Sequence, residues 1–164
     1  MEKIFKVAID GPSGAGKSTI AKAIAKKLNI DYIDTGAMYR AIGYKMLMQK
    51  IESKDSEDLK RMLNDTEIDF SNGNIILDGE IVNEVIRTPE ISKQASLCSA
   101  IGMVREKLVE LQRKMGQNKS VVMDGRDIGT NVLTDAEYKF FLTASSKARA
   151  DRRYKELKEK KESV

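Results

Sequence analysis

Apolar positions along the chain follow two rhythms, and each predicts a different kind of element. "KIFKVAID" (3–10) is a short, β-branched-rich run and reads as a buried parallel strand. "DYID" (31–34), "SVVMDG" (120–125) and "EYKFFLT" (137–143) read as further strands of the same sheet. Between them the spacing lengthens to the helical period. Ile20, Ile24 and Leu28, with Ala21 and Ala25 beside them, mark one apolar helix face. Met38, Ile42 and Met46 mark a second, and Val104, Leu108, Leu111 and Met115 another. In the charged stretch "SKDSEDLKRMLND", Asp55 or Ser56 is the expected helix cap. Thr88 followed by Pro89 is a further cap, with proline in the first turn.

Residues 67–85 break both rhythms. Short apolar runs are separated there by Asn72-Gly73 and Asp78-Gly79, dipeptides that tolerate positive φ, so a small antiparallel meander is expected. The tail "ASSKARADRRYKELKEKKESV" (144–164) is expected to be helical, with Arg149, Arg152 and Arg153 close together on one side. Strands alternating with helices predict an α/β fold with a mainly parallel sheet, into which the meander is inserted.

Composition narrows the chemistry. The 164 residues are 41% hydrophobic and 33% charged, as in a soluble globular chain of one domain. The apolar runs are too short to span a membrane, and the start carries no signal-peptide core. The lone Cys98 cannot form an internal disulfide, which fits a reducing, cytoplasmic location, and it reads as a small buried apolar residue. With no histidine, serine triads and His-ligand metal sites are excluded. The chemistry must run on Asp, Glu, Lys, Arg and hydroxyls. The net charge of +4 suggests nucleic acid as one partner. Interleaved Lys and Glu, as in "KELKEKKES", instead make most lysines a solvated surface, and aromatic residues for base stacking are few.

One motif is specific. Gly11-Pro12-Ser13-Gly14-Ala15-Gly16-Lys17-Ser18 matches G-x-x-x-x-G-K-[ST], with a predicted strand before it and an amphipathic helix after it. Small residues let the backbone wrap a polyphosphate, and successive N–H groups bind its oxygens at the helix N-terminus, where Thr19 follows. Lys17 brings positive charge to the β and γ phosphates, and the Ser18 hydroxyl is a ligand for Mg²⁺. Nucleoside triphosphate binding on a P-loop NTPase three-layer fold follows. What receives the phosphate does not.

Two more stretches end predicted strands, where open α/β sheets bind ligands: "DTGAMYR" (34–40) and "DGRDIGT" (124–130). Their arginines, Arg40 and Arg126, could grip one dianionic phosphate, with surface ion pairing as the alternative for each.

Taken together, "IDGPSGAGKST", "DTGAMYR", "IRTPE", "DGRDIGT" and "FLTASSKARADRR" resemble the bacterial cytidylate kinases, a family of nucleoside monophosphate kinases, from Val7 to about Lys161. The resemblance implies transfer of the γ-phosphoryl group of ATP, with Mg²⁺, to CMP or dCMP. It implies that Arg40 and Arg126 hold the acceptor phosphate and that Thr35, Ser96, Arg105 and Asp127 surround the cytosine, with Arg87 also reaching the acceptor. The family often has Ser at the position of Thr35; the hydroxyl is kept. Asp124 reads as an outer partner of the Mg²⁺ waters, with a strand-end cap as the alternative. Arg149, Arg152 and Arg153 fall in the family's lid.

The implied organisation is a core of residues 1–35 and 118–164, with a partial lid at about 144–164, and a monophosphate-binding region at 36–117. The chain stops inside the lid as the family has it, so a C-terminal truncation is expected, with nucleotide binding surviving better than turnover. The sheet edge beside "EYKFFLT" would then be open to self-association of an otherwise monomeric protein. Another small-molecule P-loop kinase and a non-catalytic nucleotide-binding domain are the alternatives.

Overall fold

The computed structural model of the chain describes residues 3–12 and 15–143. The predicted helical tail, with Arg149, Arg152 and Arg153, and the loop residues Ser13 and Gly14 lie outside the described residues.

Four parallel strands form the main sheet: β1 (Lys6–Asp10), β2 (Asp31–Asp34), β6 (Val121–Gly125) and β7 (Tyr138–Phe141), in the order β2-β6-β1-β7. Side chains alternate across it. Val7, Ile9 and Val122 face helix α1 (Lys17–Leu28) and pack with Ala21, Ile24 and Ala25. Ala8, Ile33, Val121 and Met123 face the opposite way, into a core shared with α2 (Thr35–Met48) and α5 (Gly102–Asn118). A sheet with helices on both faces is the three-layer α/β fold predicted, and it buries β1 and β6 on two sides. Met38, Ile42 and Met46 of α2 are all fully buried, as their spacing predicts.

The face predicted for α1 is corrected. Ile20 and Leu28 are exposed (40% and 49%), and the buried contact runs through Ala21. At about 100° per residue, Ile20 lies roughly a quarter turn from Ala21. A methyl side chain on the contact line lets the helix sit close to the sheet, and the larger residues are left at its margins. Leu28 is the last helical residue.

Between α2 and α5 lie α3 (Glu57–Asn64), the meander β3 (Ile68–Ser71), β4 (Asn74–Leu77) and β5 (Glu80–Ile81), a 3₁₀ turn at Val85–Arg87, and α4 (Pro89–Cys98). Of the two candidate caps for α3, Ser56 takes the role: its Oγ accepts from the Leu59 N–H at 3.1 Å. Thr88 caps α4 in the same way, accepting from Ile91 N–H at 3.2 Å. Both turns of the antiparallel meander use positive φ, at Asn72 and Gly73 and again at Asp78 and Gly79.

Two lysines tie the meander to its surroundings. Lys45 of α2 is buried, and its Nζ donates to Asp78 at 2.7 Å and to Thr66 Oγ1 at 3.0 Å. Lys119 bridges Asp31 of β2 and Asp69 of β3, each at 3.0 Å, and donates to Phe70 O. Burial alone would lower the Lys119 pKa, but the two carboxylates outweigh it and raise it. A buried ammonium with several acceptors holds its geometry firmly, because losing one partner strands the charge.

β7 forms one edge of the main sheet, and its four residues are exposed. Its pairing with β1 continues past the strand, where Leu142 N donates to Asp10 O at 2.8 Å. This approach explains Gly11. Its φ is 145°, and a Cβ there would overlap the Leu142 carbonyl oxygen. No larger residue can begin the glycine loop without pushing β7 from β1.

Candidate active site

Sheet order places two carboxylates side by side and a third one residue further along the next strand. Asp34 ends β2, Asp124 lies beside it in register on β6, and Asp10 ends β1 opposite Gly125. The glycine loop leaves from Asp10, and Gly16, with a φ of 88°, opens α1. Negative charge at these strand ends is answered by Lys17, Arg40 and Arg126, all drawn from the segments that follow the same strands.

An open cleft of about 1260 Å³ runs along this edge. Lys17, Thr35, Arg105, Asp124, Arg126 and Asp127 line it together. Six predicted residues from four separate stretches of sequence thus share one cavity. Lys17 Nζ donates to the carbonyls of Gly11 and Pro12. Burial lowers its pKa; Asp124 opposes that shift, Arg126 adds to it and Asp10 opposes it. Arg126 and Asp127 are exposed at the cleft mouth. Arg105 Nη1 donates to Ser99 O at 3.1 Å, which braces one end of its guanidinium. Arg40 pairs with Asp34 at 3.7 Å, and Asp34 also caps α2 by accepting from Ala37 N–H at 3.1 Å. Arg40 therefore stands behind the lining, one ion pair from it.

Besides Arg40, two predicted contacts are not among the residues that line the cleft. Ser96 is exposed on α4 and does not line the cavity; Ser99, which donates through its Oγ to Ser96 O, does. Arg87 is exposed in the 3₁₀ turn, also away from the lining. The resemblance named Ser96; which of the two hydroxyls meets the cavity depends on how α4 and the residue that follows it are docked. Ser18 and Thr19 are exposed in the first turn of α1.

Other residues were missed. Tyr39 lines the cleft, and burial raises its phenol pKa; Arg105 opposes that rise and Asp127 adds to it. Asn131 and Arg113 lie on the far wall, joined by a 2.6 Å bond from Arg113 Nη2 to Asn131 O. Asp10 carries no motif meaning of its own beyond preceding Gly11, yet it is buried and doubly hydrogen-bonded. Cys98 is buried; its thiol pKa is pushed up to about 11 by burial, which leaves it inert.

Among the described residues, no group of three or more His, Cys, Asp or Glu could cage a metal ion. Mg²⁺ keeps several waters and takes few protein ligands beside substrate phosphates. Asp124 fits such an ion. It is buried, and burial followed by the nearby Asp34 charge raises its pKa, while Tyr32 and Lys17 pull the other way without prevailing. A cation beside it would relieve that strain.

The same shift has a consequence for stability. A carboxyl whose folded pKa lies above its unfolded value costs stability as pH rises through that window, and the cost is complete above the folded pKa. Asp124→Asn is therefore expected to raise stability at neutral pH and to have no such effect below the unfolded carboxylate pKa, about 3.9. Urea unfolding of both proteins at the two pH values checks this. An Asn variant less stable at neutral pH would mean the carboxylate is a net stabilising cap.

A glycine loop between strand and helix, carboxylates at the strand ends, and a cleft lined by charges of both signs beside them are the layout of a P-loop phosphotransferase of the nucleoside monophosphate kinase class. Comparison with known proteins is more particular. The family model for cytidylate kinase matches residues 7–164. The cytidylate kinase of Clostridium perfringens (strain SM101) is 55% identical over 160 residues, covering 98% of this chain and 74% of that protein. That of Clostridioides difficile (strain 630) is 54% identical over 151 residues, covering 92% and 70% respectively. That of Caldanaerobacter subterraneus is 56% identical over 155 residues, covering 94% and 69%. The chain belongs to the cytidylate kinase family.

Proposed function

We propose that the chain binds ATP with Mg²⁺ on the Gly11–Ser18 loop and transfers its γ-phosphoryl group to CMP or dCMP held in the adjoining cleft. The observation that carries this reading is the joint lining of one cleft by Lys17 of the phosphate loop and by Thr35, Arg105, Arg126 and Asp127.

The acceptor is already an anionic phosphate, so no general base is needed. The work is alignment and neutralisation of charge. Arg126 and, behind it, Arg40 supply guanidinium donors for the acceptor phosphate. Lys17 exchanges its loop carbonyls for phosphate oxygens. Ser18 and, through water, Asp124 would hold Mg²⁺, which neutralises charge on the donor phosphates when bound.

Base choice rests on hydrogen-bond polarity. Thr35 Oγ1 lies 2.8 Å from the Asp124 carbonyl oxygen, which can only accept, so the hydroxyl must donate its hydrogen there. Its oxygen then offers lone pairs to the cleft. Asp127 is likewise an acceptor, and Arg105 a donor. Cytosine presents an amino donor beside a ring acceptor; uracil presents the reverse. Such a set favours cytosine.

In this reading residues 36–117 carry much of the acceptor site and residues 1–35 with 118–164 the donor core. Arg149, Arg152 and Arg153 belong to a lid, and the protein works in the cytoplasm as a monomer whose β7 edge is the surface where copies would pair. Among the described residues no helix is long and apolar enough to cross a membrane.

The test is ADP release with ATP and a panel of CMP, dCMP, UMP, AMP and shikimate. Turnover is expected with the two cytidine nucleotides. Turnover of AMP or shikimate in their place would overturn the assignment. Nucleotide binding without any turnover would favour a non-catalytic domain.

A further inference from the structure

Asp10 lies at the end of β1, one residue before the phosphate loop, and is 7% exposed. Its two carboxylate oxygens face a segment 118 and 119 residues away. Oδ1 accepts from Ile128 N–H at 2.7 Å and Oδ2 from Gly129 N–H at 2.8 Å. Those amides open a single π-helical turn, Ile128–Val132, whose first N–H groups have no partner within the turn. Only Arg126 and Asp127 separate this turn from Gly125, the last residue of β6. Gly125 is itself paired with Asp10 across the sheet.

The two residues that point into the cleft mouth are therefore suspended between two fixed points, and both points are set by Asp10. Gly129 agrees with this: a Cβ there would lie 3.3 Å from Asp10 Oδ2, tight enough to disturb the bond. On its other side, Asp10 continues into Gly11, whose carbonyl receives Lys17 Nζ.

We infer that Asp10 is a positioning residue that locks the Arg126–Asp127 arm in register with the phosphate loop, so that donor and acceptor phosphates are aligned by one buried carboxylate. The inference rests on the proposed assignment of the cleft to a cytidine monophosphate. Two charge-assisted bonds to backbone amides are strong and directional, and alignment of reacting groups depends on such supporting contacts.

The test is Asp10→Asn in the full chain. The side chain keeps its size, but its amide nitrogen has no lone pair to offer, so one of the two N–H groups loses its acceptor. Calorimetric titration is expected to show CMP affinity reduced about tenfold or more, with ATP affinity changed by less than about threefold. Hydrogen exchange of the Ile128 and Gly129 amides is expected to speed up while the other core amides keep their protection. Gly129→Ala, which presses on the same carboxylate from the other partner, should give the same signature and combine non-additively with Asp10→Asn. It also serves if Asp10→Asn does not fold. Equal loss of both ligands, or unchanged CMP affinity with unchanged exchange, would overturn the inference. If the parent chain bound no CMP, the proposed function would fall, and amide exchange alone would still decide the role of Asp10.

Discussion

Lys17→Ala is expected to lower kcat by about 10²–10³-fold while leaving the fold intact. The reasoning begins from what the side chain touches. Lys17 is half-buried, and among the described residues its ammonium donates to the carbonyls of Gly11 and Pro12. It supports no core packing, so the unfolding midpoint should not move. Its lowered pKa follows from burial, and a bound polyphosphate would reverse that balance by adding negative charge. In the proposed function that ammonium turns to the donor phosphates. Removing it deprives the transferred phosphoryl of charge stabilisation where the charge spreads most. Steady-state ADP release with thermal unfolding checks both halves. A variant that fails to fold would make the lysine structural.

Asp127→Ala is expected to reduce the CMP-to-UMP ratio of kcat/KM by about 10–10²-fold. Asp127 is exposed, and among the described residues its one side-chain hydrogen bond is a long one, 3.4 Å from Asn131 Nδ2. Its oxygens are free to accept from a cytosine amino group. Alanine removes that acceptor, so CMP loses a bond and uracil loses a repulsion. The ratio moves more than either constant alone. Asp127→Asn sharpens the test, because an amide can turn to donate and should admit UMP further. An unchanged ratio in both variants would remove Asp127 from base recognition. An equal fall for both nucleotides would place it with the sugar hydroxyls they share instead.

The glycine loop and the elements around it were legible because their determinants are local. Period-two and period-3.6 patterns lie within single segments, and Asn-Gly and Asp-Gly turns state their own φ. Thr88 and Ser56 cap the helices they precede for the same reason. The α1 face was misjudged because apolar spacing alone cannot say how closely a helix approaches a sheet. Ala21 outranked Ile20 there through its small size.

What the sequence alone determined about this protein is its α/β layering, its phosphate loop and the stretches that would meet a second nucleotide. The tertiary structure decided which of their side chains meet. Only the strand order β2-β6-β1-β7 sets Asp34 beside Asp124 and Asp10 beside Gly125. Only the docking of α4 faces Ser99, and not Ser96, toward the cleft. Only the packing of β1 beneath a turn 118 residues distant gives Asp10 its two amide partners. Local sequence biases φ, ψ and amphipathicity, whereas a contact between distant residues exists only once the sheet has brought their strands together.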